Sequence, residues 1–174
     1  MSQASKHVDW CLRKAEKEIE ECKRLNKKPK HRELLKVNPE IEEARRHIGK
    51  AEHVLHATEY LINGKYSDVG TGTLFYSMYH CFLAIAAKFG YESANQTCTI
   101  SLMEYLKEEG KTDIDSHYFE LFKYEETGAK EESIIEMRED LTYGTDKEAN
   151  KRRLEELMNE CKILISQTKN IIAV

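Results

Sequence analysis

Proline is scarce in this 174-residue chain, with only Pro29 and Pro39, and glycine is present eight times. An all-β sandwich or barrel needs a turn signal about every 8–12 residues, so this punctuation excludes both. No apolar run approaches the roughly 20 residues of a membrane-spanning helix. Met1 to Trp10 also lacks an apolar stretch long enough for the core of a secretory signal. The expected location is therefore the cytoplasm, with no membrane partner. The five cysteines (Cys11, Cys22, Cys81, Cys98, Cys161) are an odd number and form no C-x-x-C pair. In a cytoplasmic chain they are expected to be reduced core residues rather than a disulfide scaffold or a zinc ribbon. No E-x-x-H occurs, although a di-iron bundle needs two. The nearest approach, His56-Ala57-Thr58-Glu59 with His53 and Glu52 beside it, is reversed. Neither a metal nor a cofactor is expected. The net charge is mildly negative, 27 Lys+Arg against 31 Asp+Glu, giving −4, which argues against a whole surface built for nucleic acid.

The chain is rich in residues spaced as helix stripes. Ser2 or Ser5 can cap a first helix to about Asn26, with Val8, Leu12, Ala15, Ile19 and Cys22 at steps of 4, 3, 4 and 3. A basic connector, Lys27-Lys28-Pro29-Lys30-His31-Arg32, follows. Asn38-Pro39-Glu40 is expected to start a second helix, a cap followed by proline in the first turn. Its stripe is Ile41, Ala44, Ile48, Ala51, Leu55, Thr58 and Ile62, and Asn63-Gly64 ends it. Ser67-Asp68 opens a third helix that stops at Gly90. It is apolar on most sides from Leu74 to Ala87, so it should lie at the centre. Shorter helices are expected from about Ile100 to Glu109, Asp115 to Glu126 and Lys130 to Leu141, the last interrupted at Tyr143-Gly144-Thr145. A final helix from Asp146 carries Leu154, Leu157, Cys161, Leu164, Thr168 and Ile171. No segment reads as a strand. The expectation is an all-α, antiparallel up-and-down bundle over residues 39–174, preceded by an N-terminal helix and basic connector over residues 1–38.

Three places could carry chemistry. Gly70-Thr71-Gly72-Thr73, at the start of the central helix, could present backbone N–H groups to an anion. It matches no phosphate-loop pattern, so a capped helix start is the plainer reading. The basic connector, with Arg13, Lys14, Arg45, Arg46 and Lys50, and the run Lys151-Arg152-Arg153 could contact phosphates or simply be solvated. Met137 to Gly144 sets Arg138 five residues before Tyr143, so that a guanidinium and a phenol are expected near one another. Arginine can stabilise phosphate charge, but a phenol with an ordinary pKa near 10 is a poor base. An Arg138–Glu139 surface pair is the competing reading.

The order of several short segments resembles a known family. Ala51-Glu52 with Leu55 is followed by Gly64-Lys65-Tyr66-Ser67-Asp68. Then come Phe75-Tyr76-Ser77-Met78-Tyr79-His80, Leu83-Ala84-Ile85 and Gly90-Tyr91, and later Arg138 before Tyr143-Gly144. From about Ile41 to the end, the chain resembles the HEPN (higher eukaryote and prokaryote nucleotide-binding) domain, in an archaeal-type subgroup with an extra N-terminal helix. The resemblance implies a helical bundle that forms a homodimer. Many members are metal-independent ribonucleases, often toxins paired with a nucleotidyltransferase-like antitoxin. Their motif is an arginine followed after four to six residues by a histidine; Arg138 matches the arginine, and Tyr143 stands where the histidine would be. Thr73 stands near the central aromatic pair where other members carry a further arginine. The first expectation is thus a nucleotide-, RNA- or partner-binding module with a degenerate catalytic motif. One alternative is a ribonuclease in which Arg138 and Tyr143 are catalytic, and another is a structural scaffold. The candidate binding set is Arg138, Glu139, His80, Lys151 and Arg152; His80 and His117 are the histidines that could replace the missing one.

Overall fold

The computed structural model describes residues 2–124 and 133–173. Among these residues the chain forms seven helices and one two-stranded sheet. The fold is an all-α helical bundle, as the stripes require. Helix α1 spans Gln3–Arg24, and the Ser2 hydroxyl accepts the Ser5 N–H at 3.1 Å as its cap. Its buried stripe is Ala4, Val8, Cys11 and Ala15, which turns the helix slightly from the expected line through Leu12 and Ile19. Cys11 thereby faces the bundle.

Two three-residue strands, β1 (Leu34–Lys36) and β2 (Tyr91–Ser93), pair antiparallel with Leu34 opposite Ser93 and Lys36 opposite Tyr91. They correct the strand-free expectation. Three residues are too few to show an alternating pattern, and the pairing joins segments far apart in sequence. Hydrogen bonds extend the link: Val37 N–H donates to the Gly90 carbonyl at 2.9 Å, and Glu40 N–H to that of Ala87 at 3.0 Å. Gly90 has φ +79°, and a Cβ there would lie 2.6 Å from the Val37 carbonyl oxygen, so only glycine fits.

Helix α2 (Ile41–Asn63) begins after Glu40, which makes no side-chain cap bond. Asn38 is therefore not its cap, because Asn38 and Pro39 belong to the chain's crossing over Gly90. Its buried face is Ala44, Ile48, Ala51, Leu55 and Thr58. A short turn with Lys65 in the left-handed region (φ 67°) leads to α3 (Ser67–Lys88), which returns antiparallel. Gly70–Thr73 lies inside α3, not at a free helix start. The Thr71 hydroxyl donates to the Ser67 carbonyl at 2.8 Å and that of Thr73 to the Gly70 carbonyl at 2.9 Å. A Cβ on Gly70 would come within 3.0 Å of Ile62, so this glycine lets α2 and α3 approach closely.

α3 is the centre: Leu74, Phe75, Met78, Cys81, Phe82, Ile85 and Ala86 enter one core with residues of α1, α2, α4, α6 and α7. Helix α4 (Gln96–Glu108) starts four residues before the expected Ile100, capped by the Asn95 side chain, which accepts Cys98 N–H at 3.0 Å. α5 is a single turn, His117–Glu120. The expected continuation of that helix toward Glu126 is corrected: residues 121–124 leave the helix through i, i+3 turn bonds, Phe122 N–H to the Phe119 carbonyl and Lys123 N–H to that of Glu120. Glu125, Glu126 and the expected start of the next helix at Lys130 fall outside the described residues. α6 (Ile134–Tyr143) opens on a capping box between Ser133 and Glu136. α7 spans Lys151–Ala173; Asp146 to Asn150 is not helical, and the Asn150 side chain accepts Arg153 N–H at 3.2 Å at the helix start.

The expectation that all five cysteines are reduced is corrected for two of them. Cys11 of α1 and Cys98 in the first turn of α4 form a disulfide, their Cα atoms 6.1 Å apart. Eighty-seven residues separate them, so no local spacing could reveal the pair. Cys81 and Cys161 are free and buried as expected.

Two outcomes test this account by urea unfolding. Phe82 is fully buried against Phe119 and Phe122, so Phe82→Ala lowers stability by about 3–5 kcal/mol; a loss under about 1 kcal/mol would mean α3 is not central. Gly90→Ala costs at least about 1–2 kcal/mol from backbone conformation alone, and an unchanged midpoint would contradict the crossing at Val37.

Candidate functional site

Arg138 lies on α6 where that helix packs on α3. A Cβ on Gly72 would be 4.0 Å from Arg138 Cγ, so the small residue lets the arginine stem lie along α3. Its guanidinium carbon sits 4.3 Å from the centre of the Phe75 ring, a cation–π arrangement. Phe75 is itself fixed from below, 5.0 Å from Phe122 and 6.0 Å from Tyr79 between ring centres. Among the described residues the acid against the guanidinium is Glu139, at 3.4 Å, and the Glu139 carboxylate accepts a hydrogen bond from the Tyr124 hydroxyl at 2.6 Å. That bond, and the carboxylate charge behind it, raise the Tyr124 pKa above its ordinary value. Tyr124 therefore holds its proton and works as a donor, not as a base.

The side chain of Arg138 remains about one-quarter exposed. Around it, Val69 and Tyr76 share a stripe of α3 with Gly72 and are both about half exposed, as is Tyr124. The site is thus an arginine on an aromatic shelf, rimmed by exposed tyrosines.

The structure does not bring Tyr143 to this arginine by helix geometry. Both residues lie within α6, and five residues turn a helix by about 140°, so their side chains leave on different faces. Tyr143 is 84% exposed. The expected proximity of phenol and guanidinium fails for that reason: α6 continues through Tyr143 instead of breaking before it.

Six of the seven histidines are engaged elsewhere. His80 is on α3, facing α2, where its Nδ1 lies 3.0 Å from Nδ1 of His47. His117 pairs with Glu160 at 3.2 Å, His31 with Glu92 at 3.3 Å and His56 with Glu59 at 3.7 Å. His7 Nδ1 meets the Ser101 hydroxyl at 2.8 Å.

Lys151 and Arg152 stand at the start of α7, which is tied to the start of α3 by the Ala149 N–H donating to the Ser67 hydroxyl at 3.0 Å. Each cation has an acid one turn on: Lys151 with Glu155 at 3.9 Å and Arg152 with Glu156 at 2.9 Å. Three cations near the basic connector are likewise paired with acids. Lys14 pairs with Glu33, Arg45 with Glu42 and Arg46 with Glu43.

Among the described residues, one group of His, Cys and acidic side chains brings its donor atoms within 4.8 Å of one another: His7, Cys11 and Cys98. It lies on α1 and α4, not beside Arg138, and its members are absent from the expected binding set. The signal that could have drawn attention to it is the i, i+4 spacing of His7 and Cys11. No helix among the described residues is long and apolar enough to cross a membrane. No protein-family model and no curated protein matches the chain.

The His47–His80 pair gives a pH prediction. Burial is the main cause that lowers the His47 pKa, with Arg46 adding to it and Glu43 opposing. Burial also leads for His80, followed by the charges of His47 and Lys50. In the unfolded chain both would titrate near the ordinary value of about 6.5. The unfolded state then binds more protons below that pH, so stability is complete above it and is lost as pH falls toward the folded-state values. The melting midpoint should decline between about pH 7 and pH 5, and His80→Asn should flatten the decline. An equal pH slope in wild type and variant would refute the assignment.

Proposed function

We propose that this chain is a HEPN-type module that binds a nucleotide or RNA through Arg138 and does not cleave it by acid–base chemistry. The observation that carries the reading is the setting of Arg138. Its guanidinium is held over Phe75, in partial contact with solvent, and donates one long hydrogen bond, 3.4 Å, to Glu139. A phosphate can displace a contact of that length and accept a bidentate pair from the guanidinium. The exposed rings of Tyr76 and Tyr124 beside it offer stacking faces for a base. Cleavage of the 2′-hydroxyl type gains a factor of about 10²–10⁴ from a group that exchanges protons near neutrality. His80 and His117 have partners away from Arg138, and Tyr143 projects from another face of α6. That arrangement favours binding over catalysis.

The resemblance to HEPN domains adds a homodimer to this reading. Val69, half exposed beside Arg138, is an apolar residue that a second copy would cover there. It also supports a place in a two-component system with a nucleotidyltransferase-like protein.

Binding is measured by fluorescence anisotropy with a short single-stranded RNA in EDTA, and cleavage of the same RNA is read on a gel. Arg138→Ala is expected to weaken binding about 10- to 100-fold, the value of one to two charge-assisted hydrogen bonds, while Tyr143→Phe leaves it unchanged and no variant cuts. Equal binding by wild type and Arg138→Ala would overturn the reading. Metal-independent cleavage lost in both Arg138→Ala and Tyr143→Phe would establish the ribonuclease instead.

A further inference from the structure

We infer that His7, Cys11 and Cys98, with Glu33, form a site for a divalent zinc-type cation when the Cys11–Cys98 disulfide is reduced. The ligand atoms of the first three lie within 4.8 Å of one another. Both sulfurs are buried, and His7 is half-buried. Zinc binds thiolate sulfur at about 2.3 Å and imidazole nitrogen at about 2.0–2.1 Å in a tetrahedron, which sets two ligating sulfurs about 3.8 Å apart. Any disulfide holds its sulfurs about 2.05 Å apart, so exchanging that bond for a bridging cation requires a movement of less than about 2 Å. These three ligands come from the second and third turns of α1 and the first turn of α4, two elements packed side by side, so the helices need not rearrange.

Glu33 is the observation that separates this site from an ordinary disulfide. Its carboxylate is only 3% exposed. One oxygen pairs with the Lys14 ammonium, and the other, Oε2, lies 3.2 Å from Cys98 Sγ. A disulfide sulfur carries no proton to donate, so this buried acid rests against an atom that gives it no hydrogen bond. Charge counting points the same way. In the disulfide form, Glu33 and Lys14 cancel. In a reduced, ionised form, two thiolates, the Glu33 carboxylate and the Lys14 ammonium leave two net negative charges in a buried place, which a divalent cation neutralises. Glu33 is then placed to supply the fourth donor.

Two further features fit a metal site. The His7 ring is oriented by the Ser101 hydroxyl on Nδ1 at 2.8 Å, the kind of outer contact that fixes a ligating imidazole. His7 and Ser101 also line a cleft of about 920 Å³ between α1, α4 and α5, which provides an entry path from solvent. The other buried cysteines do not compete: Cys81 and Cys161 lie on α3 and α7, Cys161 against the Ser77 hydroxyl at 3.2 Å, and neither belongs to this group of donors.

The chemistry balances without further partners. A thiol reductant supplies two electrons and two protons to the disulfide and leaves as its own disulfide. Each cysteine thiol then gives its proton to solvent as the sulfur binds the cation, releasing two protons per ion. Disulfide and zinc complex are thus mutually exclusive states of one joint.

The test uses zinc chloride alone, with phosphine-reduced and then desalted protein beside the oxidised protein, and metal content is read by mass spectrometry of the intact chain. Cobalt(II) gives an independent readout through its thiolate charge-transfer and tetrahedral visible bands. Reduced wild type is expected to bind one ion per chain and oxidised protein none. His7→Ala and Cys98→Ser should lose at least tenfold in affinity, and Ser101→Ala about 10- to 100-fold. Cys22→Ser, at a free cysteine outside the cluster, should bind as wild type. Circular dichroism confirms that each variant is folded, and Glu33→Gln serves as the mildest probe should Cys98→Ser unfold. The inference is overturned if reduced wild type takes up no stoichiometric zinc, or if His7→Ala and Glu33→Gln both bind as tightly as wild type.

Discussion

A helix that is apolar on nearly every side cannot face water, and the burial of α3 is the constraint on which the other elements depend. Each Leu, Ile, Phe or Met of α3 removed from water contributes about 1.5–3 kcal/mol, and five of them enter the main core, with Cys81 and Ala86 beside them. To cover them, α2 must run back along α3 at close range, which Gly70 permits against Ile62, while α4, α6 and α7 close the remaining sides. The aromatic rings give this core a direction. Phe119 packs on Phe82, Phe82 on Phe122, and Phe122 on Phe75. Phe75 ends that series beneath the guanidinium of Arg138. The candidate site therefore takes its rigidity from the core: the shelf under the arginine is the outermost ring of the stack that holds α3 in place.

The parts of the fold that repeat at helical spacing were legible in the sequence. The stripe of α7 through Leu154, Leu157, Cys161, Leu164 and Thr168 is buried throughout, and the α2 stripe from Ala44 to Thr58 likewise. Hydrophobic burial acts on periodicity, so periodicity reports it. The features that escaped depend on contacts between distant segments. β1 and β2 are each three residues long and exist because Gly90 lets the chain cross Val37. Asn38-Pro39 has the residues of a helix start, but hydrogen bonds at Val37 and Glu40 to the end of α3 hold that stretch extended. The disulfide joins α1 to α4 across most of the first hundred residues, and neither cysteine carries a local mark of its partner.

The candidate site was legible only in part, and for a related reason. Arg138 stands out in the sequence, but what makes it usable is Gly72 and Phe75, more than sixty residues earlier. Tyr143 was associated with it by distance along the chain, a measure that ignores the rotation of α6. Lys151 and Arg152 look like an anion patch as a run of letters; on the helix each meets a carboxylate four residues on. Such exposed i, i+4 pairs contribute only tenths of a kcal/mol to stability, yet they are enough to cancel the local field that would attract a phosphate. Arg138 differs in that its acid neighbour also accepts a hydrogen bond from the Tyr124 hydroxyl.

The joint between α1 and α4 bears on how the N-terminal helix stays attached. The α1 stripe of Ala4, Val8, Cys11 and Ala15 is made of small side chains, and small side chains bury little apolar area, so packing alone holds α1 less firmly than it holds α2 or α7. A covalent link spanning 87 residues removes loop-closure entropy from the unfolded chain worth about 4–5 kcal/mol. That compensates for the thin interface. A cation bridging His7, Cys11 and Cys98 would close the same loop, because its ligands come from the same two helices. Exchange of one link for the other would then change the charge and chemistry beside Glu33 and at the mouth of the neighbouring cleft while leaving α1 in place.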